Sequence, residues 1–368
     1  MRCIFRRLSA AGAGRRWTAP ALQDPYVFMP CVSGAAVPHL YSTGAWYGMD
    51  VPGPSPRERG SRERRGERAR ASILKSPGVP EVGRLSREEL TELLQRSLIY
   101  RAGPLVALNK PPGLPITGDE LSLSTVLPDL QGALSLTGEL HVVKTAARDQ
   151  SGLVLLSTCH HTTNHLEDNF RKARRQKTPT ATYWAVTVGT PDPPEGEIDV
   201  PLKLQTIGAL QLVVPELSPS RGSVTHREVK RTRTRYRVLD SGAGCSLLQL
   251  QPLSTFQSQL QVHLSVKLSP VLGDHVYSPR VGRVLGVPIS LPVETALPRT
   301  QVLQEALLRR MHLTQQQMHR MPLHLHLLQL HLPALGKERK ETVVTAPPPE
   351  YFLRTLCLLG LTPPEGRG

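Results

Sequence analysis

Leu140-His-Val-Val-Lys-Thr-Ala-Ala-Arg-Asp-Gln-Ser-Gly-Leu-Val-Leu-Leu-Ser157 holds two short apolar runs around a polar turn. Residues 140–144 and 153–157 each read as a strand, and the turn between them ends in Ser151-Gly152. Upstream, residues 105–108 are another strand-like run, stopped by the turn-forming Asn109-Lys110-Pro111-Pro112-Gly113. Before that, Ser86 and Glu89 form an S-x-x-E capping box ahead of a helical stripe of Leu90, Leu93, Leu94 and Leu98. Downstream, residues 160–175 are helical in pattern, and residues 181–189 are β-branched and aromatic, hence a strand. Further strands are expected at 233–239, 245–250 and 323–332, with a helix-like stretch at 256–266. Strands and helices mix without a regular βαβ repeat, which predicts an α+β fold.

The whole chain has 368 residues, with 45 Lys+Arg against 30 Asp+Glu. Its net charge of +15 favours polyanionic partners. No apolar run reaches the roughly 18 residues of a membrane-spanning helix. Five scattered cysteines without a CxxC argue against a disulfide framework or a cysteine-based zinc module. The first 23 residues contain five arginines and no acid, the composition of an organelle transit peptide; a disordered basic tail is the plainer alternative. Residues 57–70, RERGSRERRGERAR, cannot bury enough apolar surface to offset their ordering entropy. The expected organisation is a transit-like, disordered region over 1–84, one domain over 85–362 and a tail over 363–368.

Two basic clusters fall inside that domain. Arg171, Lys172, Arg174 and Arg175 lie close together without an acid. Lys230, Arg231, Arg233 and Arg235 follow, and alternate spacing from 231 to Arg237 puts like charges on one face of a strand. Such a row needs a polyanion to neutralise it, so phosphate-backbone binding is expected; the competing reading is an edge strand kept soluble by basic residues.

Several of these stretches, in the same order, resemble the RluA-type family of RNA pseudouridine synthases. Leu105-Val-Ala-Leu-Asn-Lys110-Pro-Pro-Gly113 resembles that family's opening, and Ser151-Gly-Leu-Val-Leu-Leu156 the end of its H-R-L-D-x-x-T-S-G-L motif. Thr182-Tyr183-Trp-Ala185-Val-Thr-Val-Gly189 is similar to Y-x-A-l-v-x-G. Gln259-Leu260, Val262-His263 and Pro270-Val-Leu-Gly273-Asp274-His-Val-Tyr277 resemble a later segment, and Leu323-His324 the closing strand. The resemblance covers about residues 104–361. It implies a curved, mixed and mostly antiparallel sheet with flanking helices, a central RNA-binding cleft, no cofactor and no metal. It also implies a flipped-out uridine stacked on Tyr183, with Lys110 and Gln259 in the substrate-binding set.

The resemblance also marks two departures. Counting back from Ser151-Gly152, the H-R-L-D positions are Lys144, Thr145, Ala146 and Ala147, so the catalytic carboxylate is an alanine. The later P-x-T-G-R-x-H-Q-l-R segment aligns with residues 252–261, which puts Phe256 and Gln261 at its two arginines. Both members of the expected Asp–Arg pair are absent. Losing one partner strands the other at about 3–5 kcal/mol, whereas replacing both is often harmless. Asp149 is the candidate replacement carboxylate; on a strand it would share a face with Ala147 at roughly 6–7 Å. Asp274 reads as structural.

Other constellations carry less. Cys159 with His160, His161 and His165 lacks a recurring metal partner, and His324, His326 and His331 fit a half-buried strand with satisfied imidazoles. The sequence therefore points to a mitochondrial matrix protein that binds mitochondrial mRNA or rRNA. Mitochondrial RNA-processing or ribosome-assembly proteins are possible partners. Three functions remain open: an enzyme using Asp149, an RNA-binding module without chemistry, and a scaffold for acidic protein surfaces.

Overall fold

The computed structural model describes residues 72–74, 79–118, 121–218, 222, 228–334 and 341–364. The arginine-rich first 23 residues and the 57–70 tract lie outside the described residues. The first elements are α1 (Arg87–Arg96), β1 (Leu98–Ala102), β2 (Leu105–Lys110), α2 (Leu123–Ala133), β3 (His141–Thr145), β4 (Ser151–Ser157) and α3 (His160–Arg175). There follow β5 (Ala181–Val188), β6 (Glu195–Asp199), β7 (Leu202–Ile207), β8 (Leu210–Pro215), β9 (Val229–Lys230), β10 (Arg233–Gly242) and β11 (Cys245–Pro252). The chain closes with α4 (Gln259–Val266), β12 (Val281–Val284), β13 (Val287–Ser290), α5 (Glu305–Arg310), β14 (Leu325–Leu332), β15 (Thr342–Thr345) and α6 (Glu350–Leu359).

Ten strands form one sheet in the order β1-β2-β4-β14-β5-β11-β10-β6, with β3 attached to β4 and β15 to β14. Its ladders are antiparallel except for β14 beside β4, which is parallel. The fold is α+β with a mixed, mostly antiparallel sheet, as expected. Strand alternation divides the core. Leu153, Leu155, Tyr183, Ala185, Leu248 and Leu250 bury on one face, under α3 and α4. On the opposite face Val154 and Leu156 meet α1 and α2, while Trp184, Val186 and Leu247 meet α5 and α6. Covering both faces explains why β4 is buried along its whole length.

The Ser86–Glu89 capping box is present, with Ser86 N donating to Glu89 Oε2 at 2.8 Å and Glu89 N to Ser86 Oγ at 3.2 Å. The expected 256–266 helix starts later, at Gln259, because Ser258 takes a left-handed φ of 48°. The folded body begins earlier than residue 85. Ile73 is fully buried in the core with Phe352 and Leu356, and Val82 is buried with Leu90 and Leu94. Arg354 Nη1 donates to Ser72 O at 3.3 Å, tying the same segment to α6.

Beneath α6 lies a buried polar network. His326 is 2.9 Å from Ser151 Oγ through Nδ1 and 2.9 Å from Ala346 O through Nε2. With Nε2–H donating to the carbonyl, Nδ1 accepts from the serine. Tyr351 Oη donates to Ser151 Oγ at 3.2 Å, and His324 Nε2 lies 2.8 Å from Thr355 Oγ1. Burial pulls both imidazoles down to about 4. The two histidines are satisfied core residues, and among the described residues no group of three or more His, Cys, Asp or Glu is arranged to hold a metal.

Candidate active site

Between β3 and β4 the chain makes a tight turn, closed by Gln150 N donating to Ala147 O at 3.1 Å. Gln150 is buried and its Oε1 accepts from Ala147 N at 3.3 Å, a second lock on the same turn. Lys110, at the end of β2, holds it from below. Its Nζ donates to the carbonyls of Pro111 (3.0 Å), Arg148 (3.0 Å) and Gln150 (2.8 Å), three acceptors for three ammonium hydrogens. Gly113 N adds a bond to Arg148 O at 2.9 Å. Burial pulls the Lys110 ammonium down to about 7, with the Asp149 carboxylate working against the shift. Lys110 is therefore not an exposed substrate ligand: its side chain is consumed by the turn it supports.

The turn changes the reading of Asp149. It sits at a turn position and not on a strand, so strand alternation does not place it relative to Ala147. Its side chain is 73% exposed, with Arg148 Nε at 4.0 Å. It lines a cleft of about 430 Å³ together with Gly113, Gln261, Gly273, Asp274 and Arg320. Asp149 and Gln261, far apart in sequence, thus line one cavity.

α4 supplies the opposite wall. Gln259, expected to touch substrate, is buried and structural. Its Nε2 donates to Arg233 O at 3.0 Å and Thr234 Oγ1 at 2.9 Å, and its Oε1 accepts from Ser254 Oγ at 3.0 Å. These bonds dock the start of α4 on β10 and leave its amide nothing to offer a ligand. Phe256 packs half-buried against the core under α3. Gln261, two residues beyond Gln259, reaches the cleft.

Asp274 anchors the adjoining loop. Its Oδ1 accepts from the amides of Val276 (3.0 Å) and Tyr277 (2.9 Å). Burial pushes this carboxyl up to about 6, opposed by those amides, the Gln261 side chain and the Arg280 guanidinium. Arg280 is itself buried, stacked 4.8 Å from the centre of the Tyr277 ring. Neighbouring Gly273 has a φ of 81°, and a Cβ there would lie 2.1 Å from Pro322 O. Gly152, with a φ of 115°, is equally constrained: a Cβ would meet Leu327 O at 2.3 Å, where β4 runs beside β14.

Tyr183 lies mid-sheet in β5, opposite Leu327 on one side and Leu250 on the other. Only 8% of it is exposed, and burial pushes its hydroxyl up to about 12. It belongs to the core under α3 and α4 and is not among the residues lining the cleft.

The two basic clusters separate. Arg233, Arg235 and Arg237 stand directly opposite Asp199, Glu197 and Glu195 on β6, in consecutive cross-strand ion pairs. Lys230 Nζ donates to Thr255 O at 2.7 Å. The expected row of unneutralised cations on β10 is thus already balanced by its neighbour, a pairing that needed β6 to be recognised as a strand; Arg231, just before β10, is exposed. On α3, Arg171 pairs with Asp168 at 2.9 Å. Lys172, Arg174 and Arg175 are exposed, with no carboxylate in ion-pair range among the described residues.

This architecture matches known proteins. A family model described as RNA pseudouridylate synthase matches residues 104–266. The chain is 51% identical over 280 residues to the human mitochondrial mRNA pseudouridine synthase RPUSD3, covering 75% of this chain and 80% of that one. The chain belongs to the RNA pseudouridylate synthase family. Identity to the mouse mitochondrial pseudouridylate synthase RPUSD4 is 33% over 293 residues, 75% of this chain and 72% of the relative. The solved structure of human RNA pseudouridylate synthase domain containing 4 superposes with a TM-score of 0.60 at 28% identity, covering 76% of this chain and 98% of that one. As a synthase-family member, the chain shares the mitochondrial location of these relatives. Among the described residues no helix is long and apolar enough to cross a membrane.

Proposed function

We propose that this protein binds mitochondrial mRNA or rRNA in the matrix and serves in its modification or maturation without the family's ordinary Asp–Arg pair. The observation that carries this reading is the joint substitution. Ala147 stands in the tight turn where the resemblance expects a carboxylate, and Gln261 stands in the cleft where it expects the partner arginine. With an alanine at one position and a neutral amide at the other, neither substitution strands a charge, a joint loss that a fold tolerates better than the loss of one partner. The mRNA in the name of the 51%-identical relative supports RNA of that class as ligand. Lys172, Arg174 and Arg175 on α3 are the phosphate contacts, because among the described residues no carboxylate neutralises them. Residues 1–71 are the leader and the synthase body extends from 72 to 362. RNA-processing or ribosome-assembly proteins are the partners this role calls for.

A second reading rests on Asp149. Its carboxylate lines the same cleft as Gln261, and it is the exposed acid nearest in sequence to Ala147. In that reading the enzyme isomerises uridine to pseudouridine with a relocated carboxylate, and the buried Tyr183 ring has to become accessible to stack on the base. A chemical pseudouridine map of mitochondrial RNA, from cells lacking the protein and rescued with wild type, Asp149→Asn or Tyr183→Phe, separates the two. The binding reading expects no lost site, with RNA processing or translation altered and Asp149→Asn rescuing fully. A site restored by wild type and not by Asp149→Asn would replace it with the relocated-carboxylate enzyme.

A further inference from the structure

The cleft has a wall that the motif positions leave unassigned. Residues 79–83 line the cleft together with Asp149, Gln261 and the 320–323 segment. The segment is fixed at its far end by Val82, buried among Leu90 and Leu94. Between its anchor points Glu81 turns its carboxylate to Arg320, with Oε1 3.1 Å from Nη2, while Oε2 takes Arg84 Nη1 at 2.8 Å. Arg320 is thus a cation of the cleft lining whose charge is met from within the chain. It comes from a distant part of the sequence, 239 residues away. Its side chain remains 52% exposed and Glu81 43% exposed, so an incoming anion has access to both.

We propose that Arg320 is a phosphodiester-binding residue of the cleft and that Glu81 is its intramolecular competitor. The proposal rests on RNA being the ligand of this cleft. A carboxylate and a phosphodiester present the same pair of anionic oxygens to a guanidinium, and Arg binds either in the same fork geometry. An exposed ion pair of this kind is weak, so a phosphate delivered by a bound RNA displaces it at little cost. Asp149, lining the same cleft, adds like-charge repulsion, which makes an unoccupied Arg320 the more valuable to an RNA strand passing there. The competitor also discriminates. An anion bound only by Arg320 must outbid Glu81 alone, whereas an RNA also held by the α3 cations brings its phosphate there at high effective concentration. Glu81 thereby favours extended RNA over mononucleotides and free phosphate.

The test is fluorescence anisotropy with the full chain and a labelled stem–loop RNA carrying uridines in its loop. Glu81→Gln is expected to tighten binding about two- to fivefold, the range of an exposed ion pair. Arg320→Gln is expected to weaken it, and Glu81→Gln is expected to have no effect once Arg320 is Gln. A Glu81→Gln gain that persists in the Arg320→Gln background would overturn the competition, since it would report only a change in overall charge. No gain at all from Glu81→Gln, with wild type binding RNA normally, overturns it too and leaves the RNA-binding reading intact. Failure of wild type to bind the RNA would remove both. Thermal melts of all variants monitor folding, and Arg320→Lys, which keeps the charge, is expected to retain most of the affinity.

Discussion

At the scale of single residues, the site is held by groups that never touch a ligand. Gly152→Ala puts a methyl 2.3 Å from a backbone carbonyl at a φ of 115°. A loss of more than about 3 kcal/mol in a urea titration is expected. Lys110 couples the turn to pH. Its native value of about 7 lies below the ordinary 10.5, so the unfolded chain holds the extra proton between these values. Stability contributed by this group therefore rises with pH across that window, and Lys110→Met should flatten the rise in denaturant midpoints. His324 and His326 act at the acid end. Their values of about 4, against 6.5 when unfolded, mean that the unfolded chain takes up protons first. Midpoints should fall as pH drops from about 6.5 toward 4, and His326→Leu should remove part of that fall.

At the scale of elements, β10 and α3 carry similar numbers of basic residues and are predicted to behave differently. Charge on β10 is spent on β6, so Arg233→Gln with Arg235→Gln should change stability by under about 1 kcal/mol per pair and barely move RNA affinity. Removing Lys172, Arg174 and Arg175 together should weaken RNA binding and lower the salt slope by about 0.7 for each lost phosphate contact. The strands with unbroken apolar runs, β2, β4, β5 and β11, were legible in the sequence, as was the capped α1. β6 was not: Glu-Gly-Glu-Ile-Asp has one buried side chain, Ile198, and its propensity signal comes entirely from its neighbour's arginines. Overlooking β6 made β10 look like a cationic surface. α6 went unread because its helical apolar face follows a proline run that reads as a linker, and what it covers, Ser151 and His326, is distant in sequence.

At the scale of the whole molecule, the order of motifs was sufficient for the fold, because each motif is a strand or turn of one sheet. The cleft was less legible. Asp149 and Gln261 were singled out separately, and only the folded chain brings them to one cavity. Lys110 and Gln259 fall at motif positions, and in the structure both side chains bond the scaffold: a motif position shows that a residue matters, and only burial shows which way it faces. Glu81 and Arg320 carried no motif signal. Their meeting depends on the segment before α1 lining the same cleft as residues 320–323, which a charge count of that segment cannot reveal.

Ile73 is fully buried in the cluster to which α5 and α6 contribute, so the fold itself limits how far the chain can be shortened from its N-terminal side. A chain starting beyond residue 73 would withdraw that side chain from the core and release Arg354 from its carbonyl partner at Ser72. Such a shortened chain would carry an unplugged hydrophobic socket, and its thermal melt is expected to fall below that of a chain starting at residue 72.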